Sequence, residues 1–209
     1  MQDRLAQRLS DGIERLNLSI PDDDQQRLLA LIELLKRWSK AYNLTAVRDP
    51  DRMVPYHLLD SLAVAPYLRG ERILDVGTGA GFPGLPLAII QPDRQFVLLD
   101  SNGKKIRFVR QAVMELGLHN VEAVQARIET YESGQKFATI LARAFASLPD
   151  ILRLTGPLLD RPGVLLALKS RQAGDELNTL DKRPESARLH RLDVPFLDGE
   201  RTLIEIESN

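Results

Sequence analysis

Leu74-Asp75-Val76-Gly77-Thr78-Gly79-Ala80-Gly81-Phe82-Pro83-Gly84 is the stretch that decides the fold. The short apolar run Arg72–Val76 leads into it, and residues 85–90 leave it as an apolar segment of helical character. A glycine-rich turn between a strand and a helix lets the backbone turn tightly and approach a ligand. Two ligands compete for such a turn. Gly79-x-Gly81-x-x-Gly84 satisfies the dinucleotide pattern, but a dinucleotide would bring its pyrophosphate toward the carboxylate of Asp75, which repels it. S-adenosyl-L-methionine brings a sulfonium and an ammonium, which Asp75 attracts. Asp75-x-Gly77-x-Gly79-x-Gly81 therefore favours the methyl donor. Asp100, about twenty residues on at the next strand end, is placed to accept from ribose hydroxyls of either cofactor.

Outward from the loop the chain alternates. Strand 95–100 precedes helix 104–116, which Gly117 stops. Strands 121–126 and 138–142, helix 148–159 and strand 163–169 follow. Strands 188–194 and 202–207 are joined by the turn PFLDGE, with no helix between them. Alternation implies right-handed crossovers and a parallel sheet. The expected architecture is α/β, a doubly wound, Rossmann-like seven-stranded sheet with a terminal antiparallel hairpin, the layout of class I methyltransferases. Residues 1–69 read as a helical N-terminal cap, with Leu28, Leu29, Ile32, Leu35 and Trp38 as a packing stripe after the start signal Pro21-Asp22. The chain is read as one domain, 1–209, with a helical extension (1–69) and a cofactor-binding core (70–209).

Composition narrows the chemistry. Among 209 residues there is no cysteine, which excludes a disulfide scaffold, a thiolate metal site and the covalent route to base C5-methylation. The histidines stand apart at 57, 119 and 190, and no metal site is expected. No apolar run is long enough to span a membrane, and the charged N-terminus lacks a signal-peptide core, so a cytoplasmic protein is expected. Net charge is −1, so any contact with RNA must come from a local patch.

Such a patch is expected at the carboxyl ends of the strands, where open α/β sheets bind ligands. Arg127 follows the third strand, Arg143 the fourth, and Lys169 and Arg171 the fifth. Arg127, Arg143 and Lys169 are expected to converge there as the residues that position the acceptor. Lys105 and Arg110 read as a solvated helix face. The turn after the fourth strand, Leu141-Ala142-Arg143-Ala144-Phe145-Ala146, lacks the N/D-P-P-aromatic pattern of adenine amino-methylation. A guanine N7 has a free lone pair and needs alignment rather than a base. A ribose 2′-hydroxyl needs activation, for which Lys169 is the candidate. These residues leave both acceptors open.

Tyr42-Asn43-Leu44-Thr45, His57-x-x-Asp60-Ser61-Leu62, the glycine loop, Leu98-Leu99-Asp100-Ser101 with Gly103-Lys104-Lys105, Ala142-Arg143-Ala144 and Leu168-Lys169 run in order from about residue 42 to 170. Together they resemble the ribosomal RNA small subunit methyltransferase G family, also called glucose-inhibited division protein B. The resemblance implies transfer of a methyl group from S-adenosyl-L-methionine to N7 of one guanine, position 527, in the 530 loop of bacterial 16S rRNA. It implies that Gly77, Phe82, Ile128, Glu129 and Arg143 line the cofactor site, with Asp100 on the ribose. The implied partner is 16S rRNA, naked or in a small-subunit particle, and the enzyme is a monomer by default. Ser170 stands where the family usually has glycine. His57 and Asp60 match the motif, and they read equally well as buried polar residues satisfied by neighbours. The alternatives are a nicotinamide-dependent oxidoreductase, an RNA-binding assembly protein that keeps the fold as a platform, and a small-molecule methyltransferase.

Overall fold

The computed structural model describes residues 2–169, 176–177, 184 and 186–208. The apolar runs form β1 (Arg72–Val76), β2 (Gln95–Asp100), β3 (Val121–Gln125), β4 (Phe137–Arg143) and β5 (Leu159–Lys169), all parallel. The last two, β6 (Arg188–Leu192) and β7 (Arg201–Ser208), form the expected antiparallel hairpin. The sheet order is β3-β2-β1-β4-β5-β7-β6, so β7 inserts antiparallel beside β5. Central strands are buried on both faces, as a parallel sheet between helical layers requires.

Alternate residues feed two cores. Ile73, Phe96, Leu98, Leu141 and Leu166 pack on one side with the N-terminal helices α1 (Gln2–Arg15) and α2 (Asp22–Tyr42). Helices α5 (Gly84–Ile90) and α6 (Gly103–Glu115) join that side. Leu74, Val76, Val97, Leu99 and Ile140 pack on the other with Leu148 and Ile151 of α7 (Leu148–Thr155). Between α2 and β1 the chain forms α3 (Pro50–Met53), a π-helical stretch (Val54–Leu59) and α4 (Asp60–Leu62). Asp49 caps α3 by accepting from the Asp51 amide. Single-turn π segments recur at functional sites, and this one carries Tyr56 and His57. Among the described residues no helix is long and apolar enough to cross a membrane.

Two expected boundaries are corrected. The helix expected over 148–159 ends at Thr155 and tightens into a 3-10 turn, Gly156–Leu158, because Pro157 has no amide to continue the ladder. The strand expected at 163 starts at Leu159, which pairs with Phe137. The register then shifts until Val164 faces Thr139, so residues 160–163 form a bulge in β5. Ser170 and Arg171, singled out from the sequence, lie outside the described residues.

Candidate active site

The carboxyl ends of β1, β2, β3 and β4 open onto a cleft built from the glycine loop, Leu99, Asp100, Lys105, the turn after β3 and Phe145. Gly77 is held at φ +66, and a Cβ there would overlap the Phe145 ring. The backbone is thus bare where it lines the cleft. The Thr78 amide donates to the Leu99 carbonyl at 3.0 Å, which ties the loop to β2. Asp100 then ties it to α6. One carboxylate oxygen accepts from the Gly79 amide at 2.9 Å and the other from the Asn102 amide at 2.8 Å. Asn102 caps α6 by accepting from the amides of Lys104 and Lys105. Lys105 Nζ lies 3.9 Å from Asp100 and lines the cleft, so the reading of Lys105 as a solvated face is corrected. Arg127, Ile128 and Glu129 complete the wall after β3.

Asp75 is placed otherwise than expected. Its carboxylate is fully buried under the loop, accepting from Thr78 Oγ1 at 2.6 Å and the Gly84 amide at 2.9 Å. The other oxygen, Oδ1, is buried without a hydrogen bond. Asp75 therefore fastens the two ends of the loop, and its direct reach to a cationic ligand, expected from the sequence, is not seen. Burial pushes its pKa up to about 6, against the hydrogen bonds from Thr78 and Gly84. Gly79 also serves through its amide rather than as cleft wall.

A second cleft adjoins the first at Ala144, which lines both and sits at φ +49. Its walls carry Tyr56, His57, Asp60, Arg143, Lys169 and Arg201. Asp60, almost fully buried, accepts from Arg143 Nη1 at 3.2 Å and from Arg201 Nε at 3.0 Å. Lys169 Nζ donates to the Ala146 carbonyl at 3.0 Å and lies 2.6 Å from Glu176. His57 stacks on Phe82 with ring centroids 4.8 Å apart. Thr45 Oγ1 accepts from the Val47 amide and lies 2.8 Å from His57 Nε2, so its own proton is available to that nitrogen. Burial first, and the Arg143 charge second, push His57 down to about 3, so the ring is neutral.

The expected convergence of Arg127, Arg143 and Lys169 is thus divided. Arg143 and Lys169 share the second cleft, and Arg127 stands in the first. Arg143 does not line the first cleft, because Asp60 and the Tyr56 carbonyl draw it to the other side. Phe82 is buried, stacked on His57, with the Arg143 guanidinium 5.9 Å from its ring centroid. Arg201 escaped the sequence reading altogether. Its signal was the hairpin: an antiparallel β7 starts where the parallel β5 ends, with Thr202 opposite Lys169.

Asp75 and His57 make opposed contributions to stability in acid. Asp75 has a folded pKa above its ordinary 3.8, so its contribution is fully present below that value and is lost as pH rises toward 6. His57 has a folded pKa below its ordinary 6.5, so its contribution is present above that value and is lost as pH falls toward 3. Between about pH 4 and 6 the two slopes, each at most about 1.4 kcal/mol per pH unit, offset one another. Asp75→Asn removes one of them. Urea denaturation at a series of pH values is expected to show a steeper acid loss in Asp75→Asn than in the unsubstituted protein. Parallel curves would contradict this.

The sheet order, the glycine loop and the acid at the end of β2 define the class: a class I S-adenosylmethionine-dependent methyltransferase. Solved structures share the fold. The O-methyltransferase TomG from Streptomyces achromogenes, in complex with SAM, superposes with a TM-score of 0.59 over 96% of each chain at 15% identity. A methyltransferase from Geobacter sulfurreducens gives 0.61 over 86% of this chain and 90% of that one at 16% identity. The chain belongs to the rRNA small subunit methyltransferase G family, whose model matches residues 24–204. Proteins named ribosomal RNA small subunit methyltransferase G are 52% identical in Psychromonas ingrahamii, over 97% of this chain and 98% of the relative. In Methylococcus capsulatus the figure is 51%, over 95% and 97%.

The residues of the first cleft fit the cofactor of this class. The bare backbone at Gly77 leaves room that any side chain would fill, and Asp100 sits at the rim as a hydrogen-bond acceptor. Leu99 and Ile128 supply apolar wall for a flat ring.

Proposed function

We propose that this enzyme methylates N7 of guanine 527 in the 530 loop of small-subunit rRNA, as a cytoplasmic monomer acting on naked 16S rRNA or on a small-subunit particle. The observation that carries the reading is the pair of clefts meeting at Ala144, one with a bare glycine backbone and an acid, the other with Arg143, Lys169 and Arg201. When bound, S-adenosyl-L-methionine supplies an electrophilic methyl group. Asp100 would hold its ribose, Ile128 and Glu129 its adenine, and Gly77 its methionine end. Arg127, at the rim of the same cleft, would meet RNA phosphate.

The second cleft suits an acceptor that brings its own lone pair. Lys169 gives two of its three donors to the Ala146 carbonyl and to Glu176, an anchoring that suits a group positioning the acceptor rather than one removing its proton. That favours N7, which needs no proton removed, over a ribose hydroxyl, which does. The work left to the protein is to orient the base and exclude water. Lys169 and Arg143 would fix the nucleotide, and Asp75 would act on the reaction only by holding the loop. The near-neutral net charge suits an acceptor whose recognition is shared with other components of a particle.

The test is chemical. Borohydride reduction and aniline cleavage break RNA at N7-methylguanosine. In 16S rRNA from cells that carry the gene, scission at one guanine of the 530 loop is expected, and in rRNA from cells lacking it none. Scission that survives loss of the gene would overturn the reading.

A further inference from the structure

Two guanidinium groups on different elements share one buried carboxylate in the second cleft. Asp60, at the start of α4, keeps 4% side-chain exposure, whereas Arg143 keeps 24% and Arg201 21%. Asp60 accepts from Nη1 of Arg143 and from Nε of Arg201 with separate oxygens. Arg143 Nη1 also reaches the Tyr56 carbonyl and Arg201 Nη1 the Glu200 carbonyl. Among the described residues Nη2 of neither arginine has a protein acceptor. Like charges repel and do not settle side by side without a counter-charge. Asp60 supplies it, and it neutralises only one of the two. An excess positive charge and two amino groups without a described acceptor remain on side chains that line the cleft from β4 and β7.

We infer that Asp60, Arg143 and Arg201 form an oxyanion clamp, in which Asp60 positions the two arginines to grip a phosphodiester of the acceptor RNA. Guanidinium forks match phosphate oxygens geometrically, and a carboxylate behind them fixes their direction. The clamp ties the N-terminal extension to the last strand, 141 residues apart in sequence. The three elements that wall the cleft therefore reach their binding geometry together. Asp60 is a positioning residue, since it touches the arginines and not the RNA. An oxyanion could also come from the carboxylate of the cofactor's methionine end, and the experiment separates the two sources. The inference rests on the rRNA reading above.

The acceptor is small ribosomal subunits from cells lacking the protein. Asp60→Asn and Arg201→Gln are each expected to raise the KM for subunits about tenfold or more, with the calorimetric Kd for S-adenosyl-L-methionine within twofold of the unsubstituted protein. Arg201→Gln should also flatten the dependence of log affinity on log salt by about one unit, the signature of one lost phosphate contact. Arg201→Lys should restore that slope while leaving the KM elevated, a split that a purely structural ion pair would not produce. Should Asp60→Asn fail to fold, the two Arg201 variants carry the test. A cofactor Kd that rises while the subunit KM stays put overturns the inference in favour of the cofactor carboxylate. Unchanged constants in every variant overturn it outright. If the unsubstituted protein methylates no rRNA, the proposed function itself fails, which is a different result from variants that match an active parent.

Discussion

Asp100→Ala is expected to weaken S-adenosyl-L-methionine binding about a hundredfold or more. The carboxylate is the knot between loop and helix, accepting from the Gly79 amide with one oxygen and the Asn102 amide with the other. Alanine orphans both amides and removes the acceptor that would face the ribose. Hydrogen bonds to a charged group contribute about 1.5–3 kcal/mol each, so losing the ribose contacts and loosening the loop together reach that factor. Asp100→Asn should fall between, because one amide donor then confronts a donor. Calorimetric titration with the cofactor measures the effect, and a thermal melt separates lost binding from lost fold. Affinity within threefold of the parent would contradict the assignment.

Gly77→Val is expected to cost still more, because it fails twice. At φ +66 a β-branched residue is strained by about 1–2 kcal/mol, and its side chain must enter the Phe145 ring. Overpacking adds roughly 1–3 kcal/mol, and relief of it would push Phe145 across the cleft both residues line. Cofactor binding should fall below calorimetric detection, with a visible drop in melting temperature. Gly117→Ala is the control. Its φ is +63, yet a Cβ there meets nothing within 4 Å. It should lose only about 1 kcal/mol of stability and none of the cofactor affinity. Equal binding losses in both variants would show that backbone strain alone, not the cleft, is responsible.

The parts of this architecture that local patterning controls were legible. Val97 and Leu99 pack to one face and Phe96 and Leu98 to the other, the sign of a strand buried on both sides. The glycine loop announced itself because its residues are contiguous. Asp100 did so because its distance from the loop follows from one βα unit. What stayed hidden depends on side-chain direction and on distant pairing. Asp100 ends β2 and Asp75 stands one residue before the end of β1, and only the three-dimensional course sends one carboxylate beneath the loop and the other to the rim. Arg127 follows β3 and Arg143 ends β4, but Asp60 draws only Arg143 into the second cleft. Arg201 could be placed only once β7 was known to lie against β5. The end of α7 is marked in the sequence by Pro157, although the apolar pattern continues past it to Leu159.

The most direct measurement of the central claim is transfer of labelled methyl from S-adenosyl-L-methionine by the purified protein, with 16S rRNA and small subunits from cells lacking it offered in parallel. The labelled nucleotide is then mapped and its methyl position determined. One mole of label per mole of acceptor, confined to a single N7-methylguanosine of the 530 loop, is the predicted result. Label on a ribose, at another nucleotide, or on neither acceptor despite measurable cofactor binding would contradict it.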